Sequence, residues 1–517
     1  MLKKALLASG FLPRELPPPF NSATFSKALG SVATTKLPTQ FNDTKRTYKL
    51  GVHTLARVGN LRRTLGLPNP IPFFGLCQAI EANWTALKTA AKASPISLST
   101  PRLSLLGVGG RALQPSCALH EIPTKRIQAR ANSQYALIAD INRFYGSIYT
   151  HSIPWALHGK STAKLNKKPS LFGNLLDVWV RNSQDGQTLG IPIGPDTSLL
   201  FAESILGQVD SELSKRIGKL SGWRYIDDYE LCFSSLAAAE DTLSTLQELL
   251  LGYELILNPA KTRIAESRRD LQAPWLGALK DFDPGKTVNS ERKELIRFFD
   301  TAFRYSIERP GDYVLSYAVG RLRDIRTDPS NWPLLQSLLL QCTTTEPGTL
   351  RLVLSSLFFA QKKGAPIVKP QIEEALNGHV SKHVPLKHTG EVAWALWGLV
   401  AFGVSLHEEP AKAVSKLADA TVALTALHAF HKKRIPVGLD LSVWSQHMDG
   451  PELYGPLWLL AYEANVQGWL PSIGGIDHVL ADPCFGYLKK NGVTFYDAAI
   501  APASIEEEGY AAPRNPF

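Results

Sequence analysis

The chain reads as an α+β protein: an antiparallel sheet with helices, followed by an irregular α-helical, repeat-like C-terminal region. Three observations predict this. Between residue 135 and about 280, strand-like and helix-like patterns alternate. Beyond about 285 the strand signal fades, and apolar residues such as Leu295, Phe299 and Phe303 recur on one helical face. Two adjacent carboxylates, Asp227 and Asp228, stand between Trp223-Arg224-Tyr225 and Tyr229-Glu230-Leu231, the pattern of a short hairpin with acids at its tip. The expected organisation is an N-terminal arm over 1–45, a mixed unit over 46–285 and a helical unit over 286–517.

The arm is rich in proline and polar residues. Pro17-Pro18-Pro19 fixes an extended backbone that donates no hydrogen bonds, so the segment is expected to pack on a domain rather than form one. From about Thr47 to Trp84 the pattern predicts helix, interrupted by Gly66-Leu67-Pro68-Asn69-Pro70. Residues 101–135 are mixed, with short strands. The strand Tyr135–Ala139 follows and runs straight into Asp140. Next come a helix near 170–182, a Gly/Pro loop at 190–195, a helix from about 197 to 217, the acid hairpin, and a helix over 236–251. A strand through Leu255-Ile256-Leu257 leaves a turn at Lys261, and Pro274-Trp275-Leu276-Gly277 predicts a further hairpin. Helices are expected over 332–341, 349–360, 391–402 and 452–464, with one more spanning Val414, Leu417, Thr421, Leu424 and Leu427/His428. No strict repeat is present, which favours an irregular helical array over a regular solenoid.

Composition is that of a globular protein, 44% hydrophobic and 20% charged over 517 residues. A formal charge of +10 favours a polyanionic partner. Basic residues gather at Lys45-Arg46, Lys49, Arg57 and Arg62-Arg63, then at Lys160, Lys164 and Lys167-Lys168, on both sides of the Asp140 strand. Cys77, Cys117, Cys232, Cys342 and Cys484 are odd in number and widely spaced, so neither a disulfide framework nor a cysteine zinc site is expected. The apolar stretch after Met1 superficially resembles a signal peptide but is too short, and the run Val392–Val404 is too short to span a membrane. A cytoplasmic protein with no membrane association is the expectation. His379, His383 and His388 lie close in sequence, and with no neighbouring cysteine or acid pattern they are expected at the surface.

A buried strand that ends in an aspartate needs a reason, because a lone carboxylate beside a core is costly unless it is paired or holds metal. Asp140, Asp227 and Asp228, brought together from two strands, suit two divalent cations roughly 4 Å apart, the arrangement used for phosphoryl transfer. Between the acid strands lies Gln187-Thr188-Leu189-Gly190-Ile191-Pro192-Ile193-Gly194-Pro195, whose glycines let backbone approach a ligand. Lys261, beside such a site, is suited to stabilise or protonate a departing pyrophosphate.

The order of these features resembles the palm of reverse transcriptases, motifs A to E in sequence: acid strand, Gly/Pro loop and helix, Tyr225-Ile226-Asp227-Asp228 hairpin, lysine strand, Trp275-Leu276-Gly277 hairpin. The resemblance implies reverse-transcriptase-like fingers and palm that act on dNTPs. It implies that Asp140 and Asp227 bind both Mg²⁺ (or Mn²⁺) ions, with Asp228 assisting and the Ile141 carbonyl completing the metal shell. Tyr145 matches the steric gate that excludes a ribose 2′-OH, and Pro192, Ile193 and Gly194 match the motif that contacts the nascent base pair. Lys45, Arg57, Arg63, Arg111 and Arg126 are candidate triphosphate cations, unranked.

The stretch Phe144-Tyr145-Gly146-Ser147-Ile148-Tyr149 through His158-Gly159-Lys160 is similar to abortive-infection and defence-associated bacterial reverse transcriptases, AbiK-type and prophage-encoded. Leu67-Pro68-Asn69-Pro70 and Glu391-Val392-Ala393-Trp394-Ala395-Leu396-Trp397 resemble the same group. Ordinary reverse transcriptases carry Pro-Gln-Gly where this chain has Pro192-Ile193-Gly194. The resemblance implies untemplated, protein-primed synthesis of single-stranded DNA that stays attached to the protein, in anti-phage defence, by a homo-oligomer (trimer or hexamer). Tyr48 is the priming candidate. Two alternatives stand beside this: a templated enzyme that copies a dedicated non-coding RNA, and a non-catalytic nucleic-acid-binding scaffold on a polymerase fold. No nuclease-like Arg-x4-His arrangement points to a second catalytic centre in the helical half.

Overall fold

The computed structural model describes residues 1–500 except 58–60, 105–109, 267–271 and 324. Strands β1 (Gly51–Ala56) and β2 (Arg62–Leu67) form an antiparallel hairpin, and β3 (Pro101–Leu103) pairs with β4 (Leu113–Pro115). The main sheet holds β5 (Tyr135–Asp140), β6 (Gly222–Tyr225), β7 (Asp228–Phe233) and β8 (Arg263–Glu266) in the order β6-β7-β5-β8, every neighbour antiparallel.

The expected α+β architecture is present. β5 ends at Asp140, as its apolar run predicts, and the helices Phe172–Asn182, Asp196–Ile217 and Leu236–Leu251 fall where periodicity places them. Ser235 starts the last of these, its side chain accepting the Ala238 N–H. These helices bury Leu200, Phe201, Ile205, Val209, Leu246 and Leu250 beside Leu137, Ala139 and Leu231 of the sheet. Each such side chain contributes roughly 1.5–3 kcal/mol of transfer free energy.

The expected helix over 47–84 is corrected. Its first part is the β1–β2 hairpin, and helix begins only at Pro70 (Pro70–Ala82), capped by Asn69. The hydrophobic pattern misleads here because His53 is fully buried while Val52, beside it, is 48% exposed. Pro274–Lys280 is helix rather than hairpin. Pro274 stands in its first turn, where the missing N–H costs nothing, and the buried Trp275 donates Nε1–H to Asp312 at 2.9 Å. The single helix expected through 414–428 is two, Glu408–Val414 and Ala420–His431, because the Asp419 side chain accepts the Thr421 and Val422 N–H groups and starts a new helix. The strand expected through 255–257 is one isolated bridge, Ile141 with Leu257, and Lys261 lies in the turn before β8.

The N-terminal segment packs on the rest of the chain, but more deeply than an arm. It forms the helices Leu2–Ser9 and Ala23–Leu29, and Phe11 packs on Phe25, Phe73, Trp458 and Phe495 at centroid distances from 4.7 to 6.3 Å. Phe20 bridges to Tyr496, and Thr24 Oγ1 donates to the Thr494 carbonyl at 2.7 Å. The C-terminal half is helical from Val288–Glu308 to Pro483–Lys490 and closes back on the hairpin region. Trp458 Nε1 donates to the Leu67 carbonyl at 3.0 Å, and Asn69 Nδ2 donates to the Leu453 carbonyl at 2.8 Å. One continuous core of buried residues runs from Leu2 to Tyr496. Among the described residues no helix is long and apolar enough to cross a membrane. All five cysteines are free and buried.

Candidate active site

The site follows from strand register. In the β5–β7 pairing Asp140 lies directly opposite Asp228, and in the β6–β7 hairpin Tyr225 pairs with Asp228, leaving Ile226 and Asp227 as the turn. Antiparallel partners stand about 4.5–5.5 Å apart at Cα. Pairing alone therefore brings all three predicted carboxylates together. Ile141 continues the strand, its N–H donating to the Asp227 carbonyl at 3.3 Å.

The clustered carboxylates repel one another. Asp227 is pushed up to about 6, first by burial and then by the charge of Asp140. Asp228 is pushed up to about 7 by burial, with Asp227 and Asp140 adding to it. Protein donors reach Asp140: Lys261 Nζ donates to Oδ2 at 2.7 Å and Asn258 Nδ2 to Oδ1 at 3.1 Å. Burial works against the Lys261 charge, yet the Asp140 bond and the neighbouring carboxylates hold it above its usual range. Three crowded oxygen donors of one sign fit hard divalent cations, which remove the repulsion that now raises two of them.

The turn is backbone-strained. Ile226 has φ 56°, a left-handed conformation that costs a β-branched residue about 1–3 kcal/mol. A buried polar network holds it. Ser99 Oγ accepts the Ile226 N–H at 2.7 Å, and Arg224 Nη1 donates to the Ile226 carbonyl at 2.8 Å. Arg224, fully buried, ion-pairs with Glu203 and Asp210 at 2.7 Å each. Ser97 and Ser99 donate to Glu203 at 2.6 and 2.7 Å, while Ser94 and Tyr229 donate to Asp210 at 2.6 and 2.8 Å. Sequence reasoning missed this network. A signal was there: Glu203 and Asp210 stand seven residues apart, on one face of a helix that also buries Leu200, Ile205, Leu206 and Val209, and two buried acids require a buried cation.

A cavity of about 1220 Å³ opens beside the turn. Tyr145, Ile193, Gly194, Tyr225 and Ile226 line one side, Arg14 and Glu15 of the N-terminal segment another, and Tyr317 and Arg321 a third. The Gly/Pro loop is fixed to its surroundings. Ile191 N–H donates to the Tyr145 carbonyl at 2.9 Å, and Gly66 N–H of β2 donates to the Ile193 carbonyl at 2.8 Å. Gly194, at φ 127°, lies so near Pro13 that an added Cβ would meet its ring at 2.6 Å. Burial and the Asp227 charge push the Tyr145 phenol well up, so it faces the site as a neutral ring.

The candidate cations separate. Arg63 is exposed, lines the cavity and acts on Asp227 through its charge. Arg111 is engaged, ion-paired with Asp196 and donating to the Leu12 carbonyl at 2.9 Å. Arg126 pairs with Glu230 at 2.8 Å. Arg57 lines a second cavity of about 490 Å³ that shares Arg14, Glu15 and Arg63 with the first. Lys45 is exposed and makes no described contact with the site. Tyr48 is 1% exposed and packs on Tyr454 at 5.5 Å, with Arg46 over the Tyr454 ring at 3.4 Å. The groups that act on its phenol are Cys484, Arg46, Asp43 and Asp482, not the three carboxylates.

This geometry, a strand-borne aspartate facing an Asp-Asp hairpin, coincides with a family match over residues 98–279 to "Reverse transcriptase (RNA-dependent DNA polymerase)". A reverse transcriptase domain occupies this segment. The domain contains every aspartate of the site, the Gly/Pro loop and Lys261, and it is a nucleotidyltransferase domain of the RNA-directed DNA polymerase class. A search of curated proteins returned no match. Among solved structures, the chain is similar to apo telomerase from Candida tropicalis at 9% identity and a TM-score of 0.31, covering 75% of this chain and 66% of that one. It is similar also to telomerase from Candida albicans, solved with a TWJ fragment of telomeric RNA, at 10% identity and a TM-score of 0.28, covering 77% of this chain and 66% of the other. The chain thus spans just under two thirds of the length of each.

Proposed function

We propose that the chain is a DNA polymerase of the reverse transcriptase class that joins dNTPs at Asp140, Asp227 and Asp228. The observation that carries this is the register of β5 against β7, which sets Asp140 opposite Asp228 at the end of a reverse transcriptase domain's central strands. Two Mg²⁺ or Mn²⁺ ions bound by these carboxylates and the Ile141 carbonyl would supply nucleophile activation and leaving-group stabilisation. Asp140 and Asp227 hold the ions, and Asp228 assists. Tyr145 excludes a ribose 2′-OH by packing under the sugar, and Pro192, Ile193 and Gly194 bound the nascent base pair. Arg63 orients the triphosphate. Lys261, now paired with Asp140, holds a proton close to the reacting phosphates. Residues 46–285 act as fingers and palm, and the helical part, 286–517, takes the thumb position through Tyr317 and Arg321.

In this reading synthesis is protein-primed and untemplated and serves anti-phage abortive infection in the cytoplasm, in a trimer or hexamer of the AbiK type. The support is Ile193: an apolar side chain where a templated enzyme has an amide removes a polar contact to the base pair. The first hydroxyl must come from a tyrosine. For Tyr48 to supply it, its segment has to leave the packing it shares with Tyr454 and Arg46. The full chain, incubated with labelled dNTPs and Mg²⁺ but no added nucleic acid, is expected to carry label that survives denaturation and is released by protease, with a product of no fixed sequence. Tyr48→Phe tests the residue, while the protein-linked label tests priming itself. A single co-purifying structured RNA, copied into product, would replace this reading with the templated alternative.

A further inference from the structure

The three histidines expected at the surface are not there. His379 and His383 are 4% and 2% exposed, and His388 is half-buried. The helix Lys369–His383 ends at His383, a tight turn follows with Lys387 at φ 53°, and the helix Thr389–Phe402 begins after His388. This corner folds His383, His388 and Glu391 together. The two Nδ1 atoms stand 2.9 Å apart, and one ligand atom of each of the three residues lies within 4.8 Å of the other two. The acid missing from the local sequence reading is Glu391, supplied by the next helix.

Several observations ask for a cation here. Among the described residues, Nε2 of His383 is buried without a hydrogen-bond partner, although an apolar side chain would fill the same space at less cost. Glu391 is oriented by Arg62 of β2, which donates to its two oxygens at 2.5 and 2.6 Å, the outer contact that typically fixes a ligating carboxylate. Each carboxylate oxygen keeps a further lone pair.

The geometry points to a Zn²⁺ site formed by His383, His388 and Glu391, with water in the remaining position. Two imidazole nitrogens and one carboxylate are a donor set zinc favours over Mg²⁺. The site is separate from the polymerase centre in chemistry, nitrogen-rich against all-oxygen, and it does not rest on the proposed reaction. Its consequence lies in the β1–β2 hairpin. Arg62 binds Glu391, Thr54 N–H donates to Thr389 Oγ1 at 3.0 Å, and Arg63 beside Arg62 lines the cavity next to the Ile226 turn. An ion at the corner therefore fixes the hairpin that presents Arg63.

The test uses the full chain carrying Asp140→Asn and Asp227→Asn, so that the oxygen site contributes no metal. The protein is stripped with chelator, supplied with Zn²⁺, desalted and analysed for metal. The expected result is about one zinc per chain. His388→Ala, on the half-buried turn, is expected to weaken binding at least about tenfold while melting stays cooperative. Because His383→Ala empties a buried position and puts folding at risk, Co²⁺ is added to the chain with intact histidines, where the visible d–d absorption of a tetrahedral nitrogen-ligated ion is expected. Zinc content no higher than that of the His388→Ala chain, or a Co²⁺ spectrum of an octahedral oxygen site, would overturn the assignment.

Discussion

Arg224 and Glu203 meet in the interior with Nη1 2.7 Å from Oε1, both side chains fully buried, and the same Nη1 reaches the carbonyl of Ile226 at 2.8 Å. The charge pair thus bears on the backbone of the turn that presents Asp227. Buried ions are expensive to desolvate, and what they secure here is a left-handed isoleucine beside the three clustered carboxylates.

Arg224→Met leaves Glu203 and Asp210 buried without their counter-ion. Urea melts are expected to show a loss of about 3–5 kcal/mol. Ser99→Ala is the milder probe, since it strands only the Ile226 N–H and removes one of two donors to Glu203 Oε1, at a cost of about 1–3 kcal/mol. In steady-state incorporation it is expected to lower kcat with little change in the KM for dNTP. A KM effect alone would mean that the network does not position the turn.

Metal and proton compete at the same carboxylates. Asp227 and Asp228 titrate at about 6 and about 7 in the folded chain, raised first by burial, against roughly 3.9 in an unfolded one. The folded state therefore binds more protons across that window, and its stability falls as pH rises from about 4 to about 7. In chelator, the melting temperature of the wild type relative to Asp227→Asn/Asp228→Asn is expected to drop between about pH 4 and about pH 7. Saturating Mg²⁺ is expected to flatten that difference. A chelator profile that matches the double variant at every pH contradicts the shared site.

Tyr145 tests sugar selection. Tyr145→Ala is expected to reduce the preference for dNTPs over NTPs by about 10²-fold, the discrimination that sterics alone give against one added hydroxyl. The readout is kcat/KM for each nucleotide, and an unchanged ratio would remove Tyr145 from the sugar pocket.

Lys261 and Asn258 both bind the Asp140 carboxylate. Lys261→Met is expected to slow incorporation roughly 10–100-fold, and Asn258→Ala is expected to raise the Mg²⁺ concentration for half-maximal rate. Titration of the metal against rate separates the two roles.

The legible parts of this molecule are those where local pattern and tertiary role agree. The run Tyr135–Asp140 is apolar because it is the inner strand of the sheet, and its terminal aspartate is conspicuous for the same reason. The β1–β2 hairpin was illegible because its buried face carries His53 and Gly51 while Val52 faces out. The histidine corner was illegible because its acid sits one turn into the next helix and its burial comes from packing between helices. Asn258 gave no signal of its own, since its role depends on the bridge between Ile141 and Leu257. Tyr48 is the priming candidate, and it lies in the core beside Tyr454.

The most direct test of polymerase activity is incorporation of labelled dNTPs by the purified full chain with Mg²⁺ or Mn²⁺, compared with Asp227→Ala and Asp140→Asn. Losing a metal-binding carboxylate removes several kcal/mol of transition-state stabilisation, so each variant is expected to fall by roughly 10³-fold or more. Absence of incorporation by the wild type, or incorporation unchanged in Asp227→Ala, contradicts the account.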